Sequence, residues 1–595
     1  MRSIDLHNTS SAYYAPGVIS GSQLHIAGQA GAIQNPPSDY VSQIHLALLN
    51  LHRINTAAGA SVRDIVKLNL YIVHYNPANR AHTRPLQKFL GSHRPAITLV
   101  PVSQLAVPGW LFEIDAVVEI PPRLTRSLTP ASAVEETDVV VIGAGLSGLT
   151  AAEKILQSGH SCIILEARDR VGGRTWSQPL EDNGVVDLGA AWINDTNQSR
   201  MIALARRAGA ELIEQNIVGN GILQREDKQR IVFPYGTTPK ITAQIQQEME
   251  RLRDEVEADC QKVDCSRPVD VELDSLTFLA YLQRKGASEA AIANASVWTR
   301  AMLGHEPQDL SALYFLNYCK SGGGLLQMRS DGKHGAQYLR VRQGTQIFAT
   351  TLAAALPPST LRLNHPVTSI HQLSSQNILI ESAGRTIRAR KVISSVPTPV
   401  LKTITFNPPL PPKKKLLTDS FRYGYYTKVM LVFRSPWWVE RGFCGLAQSF
   451  HGPVSVFRDT SSPNDKKYVL TSFLAGDAGR AWSALPTPKD REDALLAQLG
   501  DIYGDPALPR AEFIQSVGHE WSMEKFSGEG CPCPALPPGV LSIAGDALRE
   551  PVGDVHFVGT ETAAEWKGYM EGAVRSGERG SEEVLDGFRR VVARL

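Results

Sequence analysis

At 595 residues the chain is too long for one hydrophobic core, so roughly two to four domains are expected. Hydrophobic residues make up 43% and charged residues 20%, and 61 Lys and Arg against 59 Asp and Glu leave a net charge of +2. That balance offers no electrostatic footprint for nucleic acid or an anionic membrane. Seven scattered cysteines argue against a disulfide framework and for a reducing compartment. The close pairs Cys260/Cys265 and Cys531/Cys533 lack the further ligands of a structural zinc site, so no metal is expected.

The start, from Met1 to Ser10, has no basic segment leading into an apolar run, and no stretch of about 18 apolar residues follows, so a soluble, intracellular protein without a transmembrane anchor is expected. Residues 1–122 alternate strand-like runs, Gln23–Gly28 and Lys67–Val73, with amphipathic stretches near Tyr40–Ala58 and His82–Ser92, a compact α+β pattern. Residues 123–136 lack periodicity and read as an exposed linker between independently folded parts. Beyond it, the apolar run Thr137–Gly143 enters a glycine-rich turn, a helical pattern runs to Gln157, and a second strand follows at Cys162–Leu165. Helical periodicity dominates Lys228–Leu316, and strand alternation dominates Val367–Pro397 and Thr427–Ser472. The fold class expected is multidomain, α/β behind α+β, with no internal repeat.

Gly143, Gly145 and Gly148 fall on a strand-to-helix turn, where missing side chains let backbone approach a pyrophosphate at a helix N-terminus. Glu166, ending the next strand, can accept hydrogen bonds from a ribose. The following segment, Glu166–Trp176, resembles the flavin amine oxidase family, which includes monoamine and polyamine oxidases. The resemblance implies FAD, with Glu166 on the ribose, Arg168 beside it, and Gly172, Gly173 and Arg174 at the pyrophosphate. Asp187–Trp192 resembles the family's loop beside the flavin, and Arg342–Gln346 with His365–Thr368 its middle section, where Val367 is implied to contact adenine. Val555–Ala573 resembles the monoamine oxidase segment that returns to the flavin, with Gly559, Thr560 and Glu561 near the ribityl chain and Tyr569 and Met570 near the ring. On this reading the oxidase spans 137–595. Its FAD-binding segments are about 137–225, 335–400 and 520–588, and its substrate domain about 226–334 and 401–519.

The same resemblance implies three catalytic positions: Lys428 near flavin N5 through a water, Tyr569 as one wall of an aromatic cage, and Trp521 beside the flavin. Cys531 falls where animal relatives bond the flavin covalently, whereas relatives of fungal type bind FAD without that bond. Both states stay open, with Cys533 as the alternative thiol. The second cage wall is Pro532 here. The implied chemistry is oxidation of a primary amine by FAD and O2, giving an imine or aldehyde, ammonia and hydrogen peroxide. A polyamine, amino acid or secondary-metabolite amine, or a flavin-binding protein without turnover, are the other readings. An acidic substrate would need an arginine in the pocket, and no motif points to one.

Tyr14–Val18, Ile26–Gln29, Gln43–Asn50, Ala57–Lys67 and Arg94–Glu113 resemble the Rid/YjgF family of imine deaminases, whose members are commonly trimers. Carried over, Glu113 positions the hydrolytic water and Tyr14 lines the site, but Ile97 stands where that family has a carboxylate-binding arginine. A homo-oligomer is expected, with the domain hydrolysing the imine or serving assembly. Ala593-Arg594-Leu595 resembles a peroxisomal targeting tripeptide, giving a peroxisomal expectation, otherwise cytoplasmic.

Overall fold

The computed structural model describes residues 2–4, 14–31, 35–121, 134–181, 184–239 and 241–592. Most of the linker, and Ala593-Arg594-Leu595, lie outside the described residues.

In the N-terminal domain six strands lie in the order Arg2–Ile4, Gly17–Ser20, Gln23–Ala30, Phe112–Glu119, Ile65–Val73, Ala96–Val102. Phe112, Ile114, Ala116 and Val118 are buried and alternate with more open neighbours, as expected of a strand with one covered face. The helix Tyr40–Ala57 covers that face. It begins where the Asp39 carboxylate accepts from the Ser42 backbone N–H at 2.7 Å. This helix is buried on two sides. Ile44, Ala47, Leu48, Leu51 and Ile54 form one stripe, packed in the domain's own core. Ser42, His45, Leu46, Leu49 and His52 form the other.

The second stripe docks on the larger part of the chain, so the two parts are packed together rather than merely strung on a linker. Leu46 and Leu49 join a core with Leu310, Leu416 and Leu417. The Thr277 backbone N–H donates to Ser42 Oγ at 2.9 Å, and His45 Nε2 lies 3.2 Å from the Gln308 carbonyl. Arg84 grips the buried Asp309 bidentately at 2.7 and 2.6 Å and also reaches Asp477 at 2.5 Å. Lys88 pairs with the same Asp309.

In the larger part, Glu135–Ile142 and Cys162–Leu165 pair in parallel through the helix Leu146–Gln157, the expected βαβ unit. Glu135 pairs with Ile387, so the strand starts two residues before the expected boundary at 137. An eight-stranded sheet forms around it from Leu361–Arg362, Cys162–Leu165, Glu135–Ile142, Arg385–Ser394, Asn377–Ser382, Val367–Ser374 and Thr405–Asn407, with Val555–Phe557 pairing Arg385–Ser394. A seven-stranded sheet is ordered Arg230–Pro234, Asn220–Gln224, Phe443–Ser449, Val454–Asp459, Tyr468–Ala475, Tyr426–Phe433, Phe513–His519. Two boundaries shift accordingly. Asn220–Gln224, assigned to the dinucleotide-binding segments, pairs with Phe443–Ser449 in the second sheet, and Thr405–Asn407, assigned to the substrate domain, pairs with Val367–Ser374 in the first. Helices between Ala243 and Met328 form the third element. The last helix, Met570–Val592, returns to pack on Leu146–Gln157, where Ser147 Oγ donates to the Ala573 carbonyl at 2.7 Å.

Candidate active site

A long internal cavity opens where the two sheets and the helices meet. Its first end is the glycine turn. Gly143 has φ +97, a left-handed conformation that favours glycine. At Gly148 a Cβ would lie 2.0 Å from the Gly143 carbonyl oxygen, so this residue serves the packing of turn on helix and does not itself line the cavity. Gly145 differs. Its φ of −75 suits any residue, and a Cβ there would meet no protein atom closer than 4.0 Å. Neither strain nor protein packing asks for glycine at 145. Space in the cavity does.

Glu166 is buried, with one carboxylate oxygen accepting from the Ala144 N–H at 2.7 Å and the other from the Arg168 N–H at 2.9 Å. Arg168 Nε and Arg170 Nη2 are buried without a protein partner. A glycine kept small toward open space, an anchored carboxylate and the Arg168 side chain on the cavity wall fit a dinucleotide diphosphate. Gly172, Gly173, Arg174 and Val367 line the same stretch. Arg174 is also committed to protein: its Nη1 donates to Glu561 at 2.7 Å and to the Pro532 carbonyl at 2.7 Å. Gly559, Thr560, Tyr569 and Met570 line the cavity, whereas Glu561 lies behind Arg174 and does not. Its expected place beside the cofactor is therefore corrected to a second layer that fixes Arg174.

Lys428 also lines the cavity, and its ammonium donates to the Gly189 carbonyl. Burial pulls its pKa down to about 8, against the opposing pull of the Asp187 carboxylate. Asp187 is itself held by Ser177 Oγ at 2.5 Å and the Thr345 N–H at 2.9 Å. Trp521 corrects another expectation. Its indole is fully buried outside the cavity and donates to the Leu188 carbonyl at 3.0 Å, so it steadies the loop that carries Gly189.

Cys531 lines the cavity and Cys533 does not. Burial pushes the Cys531 thiol up to about 12. Gln337 Nε2 donates to the Tyr569 hydroxyl at 3.4 Å, and Trp566 meets the Tyr569 ring edge-on at 5.1 Å. Where Pro532 leaves the cage without its second aromatic, Tyr426, Trp192 and Phe473 line the cavity, with Phe473 6.0 Å from Tyr426 and 5.9 Å from Trp192. These rings, and the cavity residues Trp298, Arg329 and Arg458, carry no motif. For Arg458 the available signal was a lone arginine within the apolar strand Val454–Asp459.

In the N-terminal domain Glu113 is half-buried over Gly28, and burial, then the Asp115 charge, raises its pKa. Tyr14 is 59% exposed, and Ile97 stands 45% exposed on the edge strand. Among the described residues no group of three or more His, Cys, Asp and Glu is gathered to hold a metal, and no helix is long and apolar enough to cross a membrane.

The sequence comparisons agree with this arrangement. Residues 146–585 match the flavin containing amine oxidoreductase model, and residues 7–120 match the endoribonuclease L-PSP model. The chain belongs to the flavin-containing amine oxidase family. Bovine flavin-containing amine oxidase A is 31% identical over 473 residues, covering 77% of this chain and 86% of the relative. The human B enzyme is 31% identical over 469 residues, covering 76% and 87%. Among solved structures, cyclohexylamine oxidase from Brevibacterium oxydans superposes with a TM-score of 0.71 at 28% identity, covering 76% of this chain and 99% of that one. A putrescine oxidase bound to putrescine gives 0.70 at 26%, covering 76% and 100%. This amine oxidase is thus a flavin-dependent oxidoreductase acting on amines, carrying a Rid-type domain at its N-terminal side.

Proposed function

We propose that this oxidase converts a primary amine to its imine and passes the electrons to O2 as hydrogen peroxide, with the N-terminal domain hydrolysing the imine to carbonyl compound and ammonia. Bound FAD supplies the acceptor for the hydride equivalent and the route to oxygen. The observation that carries the reading is the meeting of Lys428, Tyr569 and Cys531 in one cavity with the Gly143–Gly145 turn. Glu166, the glycine turn and Arg168 would hold the dinucleotide end, and Val367, which lines the same cavity, would contact the adenine. Lys428 keeps a positive charge, tethered to Gly189 and 5.7 Å from the centre of the Trp192 ring. Tyr569 and the rings of Tyr426 and Phe473 flank the substrate and favour the neutral amine by excluding water.

Cys531, the cavity-lining thiol of the pair, is proposed to bond the flavin. Denaturing gel electrophoresis should show flavin fluorescence on the wild-type chain and none on Cys531→Ala; free flavin from both would remove the bond. In the N-terminal domain Glu113, with its raised proton affinity, is proposed to position the hydrolytic water. For the oxidase itself, peroxide release is measured across aliphatic, aromatic, diamine and amino acid substrates for wild type and Lys428→Met. Release that falls about 100-fold or more in the variant, with flavin still bound, is the expected result. Bound flavin that no amine bleaches would overturn the reading.

A further inference from the structure

Away from Lys428, the cavity wall carries two guanidinium groups, Arg329 just after the short helix Leu325–Met328 and Arg458 on the strand Val454–Asp459. They are not equivalent. Arg458 pairs with the buried Asp331. Arg329 forms no ion pair among the described residues and lies over the Trp298 ring, 5.2 Å from its centre. Two other arginines, Arg458 and Arg253, add repulsion to the cost of its burial, and its pKa is drawn down to about 10, which leaves it charged at neutral pH. Two cations against one carboxylate leave one uncompensated positive charge on a wall that otherwise includes Val297, Met302 and Phe473.

An unpaired cation in a water-poor, largely apolar site is costly and is explained by an anion that arrives with a ligand. Two neutral groups nearby are also incomplete. The Trp298 indole N–H is buried without an acceptor, and Gln337 Oε1 is buried without a donor while its amide nitrogen points to the Tyr569 hydroxyl. Both residues belong to the cavity wall.

We propose that the substrate is an amine that also carries a carboxylate, held by Arg329 and Arg458 while its amino group lies on the Tyr569 and Gln337 side. The inference rests on the oxidase reading and narrows its substrate class to amino acids. Gln337 Nε2 donates both to the carbonyl of Met328, the residue before Arg329, at 3.0 Å and to the Tyr569 hydroxyl at 3.4 Å, so the two ends of the substrate are close together. A diamine fits poorly, because its second ammonium would meet the uncompensated positive charge. In this respect the cavity departs from what would suit putrescine, the ligand of the similar solved oxidase.

The test uses the FAD-loaded full chain. Benzoate and propionate, which carry no amine, are titrated while the flavin absorbance is followed, and peroxide release is compared for phenylalanine against phenethylamine and 4-aminobutanoate against butylamine. The expected result is a saturable flavin perturbation by the carboxylates and a preference in kcat/KM for the acid of at least one pair. Arg329→Met should weaken carboxylate binding by about 100-fold and lower the acid-over-amine ratio in kcat/KM by a similar factor, with Arg329→Lys recovering part of the loss. If Arg329→Met does not fold, Arg329→Gln and the wild-type titration decide. A wild type that oxidises neutral amines or diamines better than every acid, and whose flavin ignores benzoate, overturns the proposal while leaving the oxidase reading intact. If no amine of any kind reduces the flavin, the oxidase reading fails, and the carboxylate titration still reports whether the arginines hold an anion.

Discussion

Acidification should release the N-terminal domain from the oxidase before either part unfolds. His45 and His52 lie on the docked stripe of the helix Tyr40–Ala57, and burial lowers both from 6.5 to about 4. Asp309 attracts His45 and Asp419 attracts His52, while Lys88 and Arg84 oppose the first and Lys415 and Arg422 the second. A histidine whose pKa is depressed by docking adds no penalty above 6.5. As pH falls from 6.5 towards 4 the undocked histidine takes a proton that the docked one refuses, so docking stability is lost across that window. At pH 5 the cost is about 2 kcal/mol for each histidine, and roughly 4 kcal/mol for both shifts the docked ratio about a thousandfold. The Arg84–Asp309 pair does not share this weakness, because Arg84 and Lys88 hold the Asp309 carboxyl well below the usual carboxylate range. Small-angle scattering between pH 7 and pH 5 should show an increase in radius of gyration while circular dichroism stays constant. A His45→Gln/His52→Gln variant should stay compact to lower pH. Equal responses of wild type and variant would refute the assignment to these two side chains.

Gly145→Ala should fold with a melting temperature within about 2 °C of wild type, since the new methyl meets no protein atom closer than 4.0 Å. Its flavin content after purification should drop at least about tenfold; full retention would mean that no pyrophosphate approaches there. Trp521→Phe removes the hydrogen bond to the Leu188 carbonyl and should cost about 1 kcal/mol in denaturant unfolding. Because the same loop holds Lys428 through Gly189, flavin reduction should also slow, whereas an unchanged rate would make Trp521 a packing residue alone.

The βαβ unit was legible because its signals are local: a glycine turn, apolar strands on either side, and Glu166 at the right remove. The helix Tyr40–Ala57 was legible as a helix but not as an interface, since a second apolar stripe with histidines looks the same whether a partner covers it or water does. Family motifs singled out Lys428 and Tyr569, which both line the cavity. Trp521 and Glu561 were misjudged at the level of the side chain because neighbouring motif residues need not face the same space. Arg329, Arg458 and Trp298 were invisible for a different reason. They come from the helical insertion and the second sheet, and only long-range packing brings them together.

The closing helix Met570–Val592 lies against the opening helix Leu146–Gln157, and Val555–Phe557 completes the sheet beside Arg385–Ser394. During synthesis the glycine turn therefore leaves the ribosome some 400 residues before the segment that shuts it. Until then the face of the helix Leu146–Gln157 that the last helix covers stays open. A complete dinucleotide site therefore needs the two ends of the oxidase part together, and a chain cut between them should lose flavin binding.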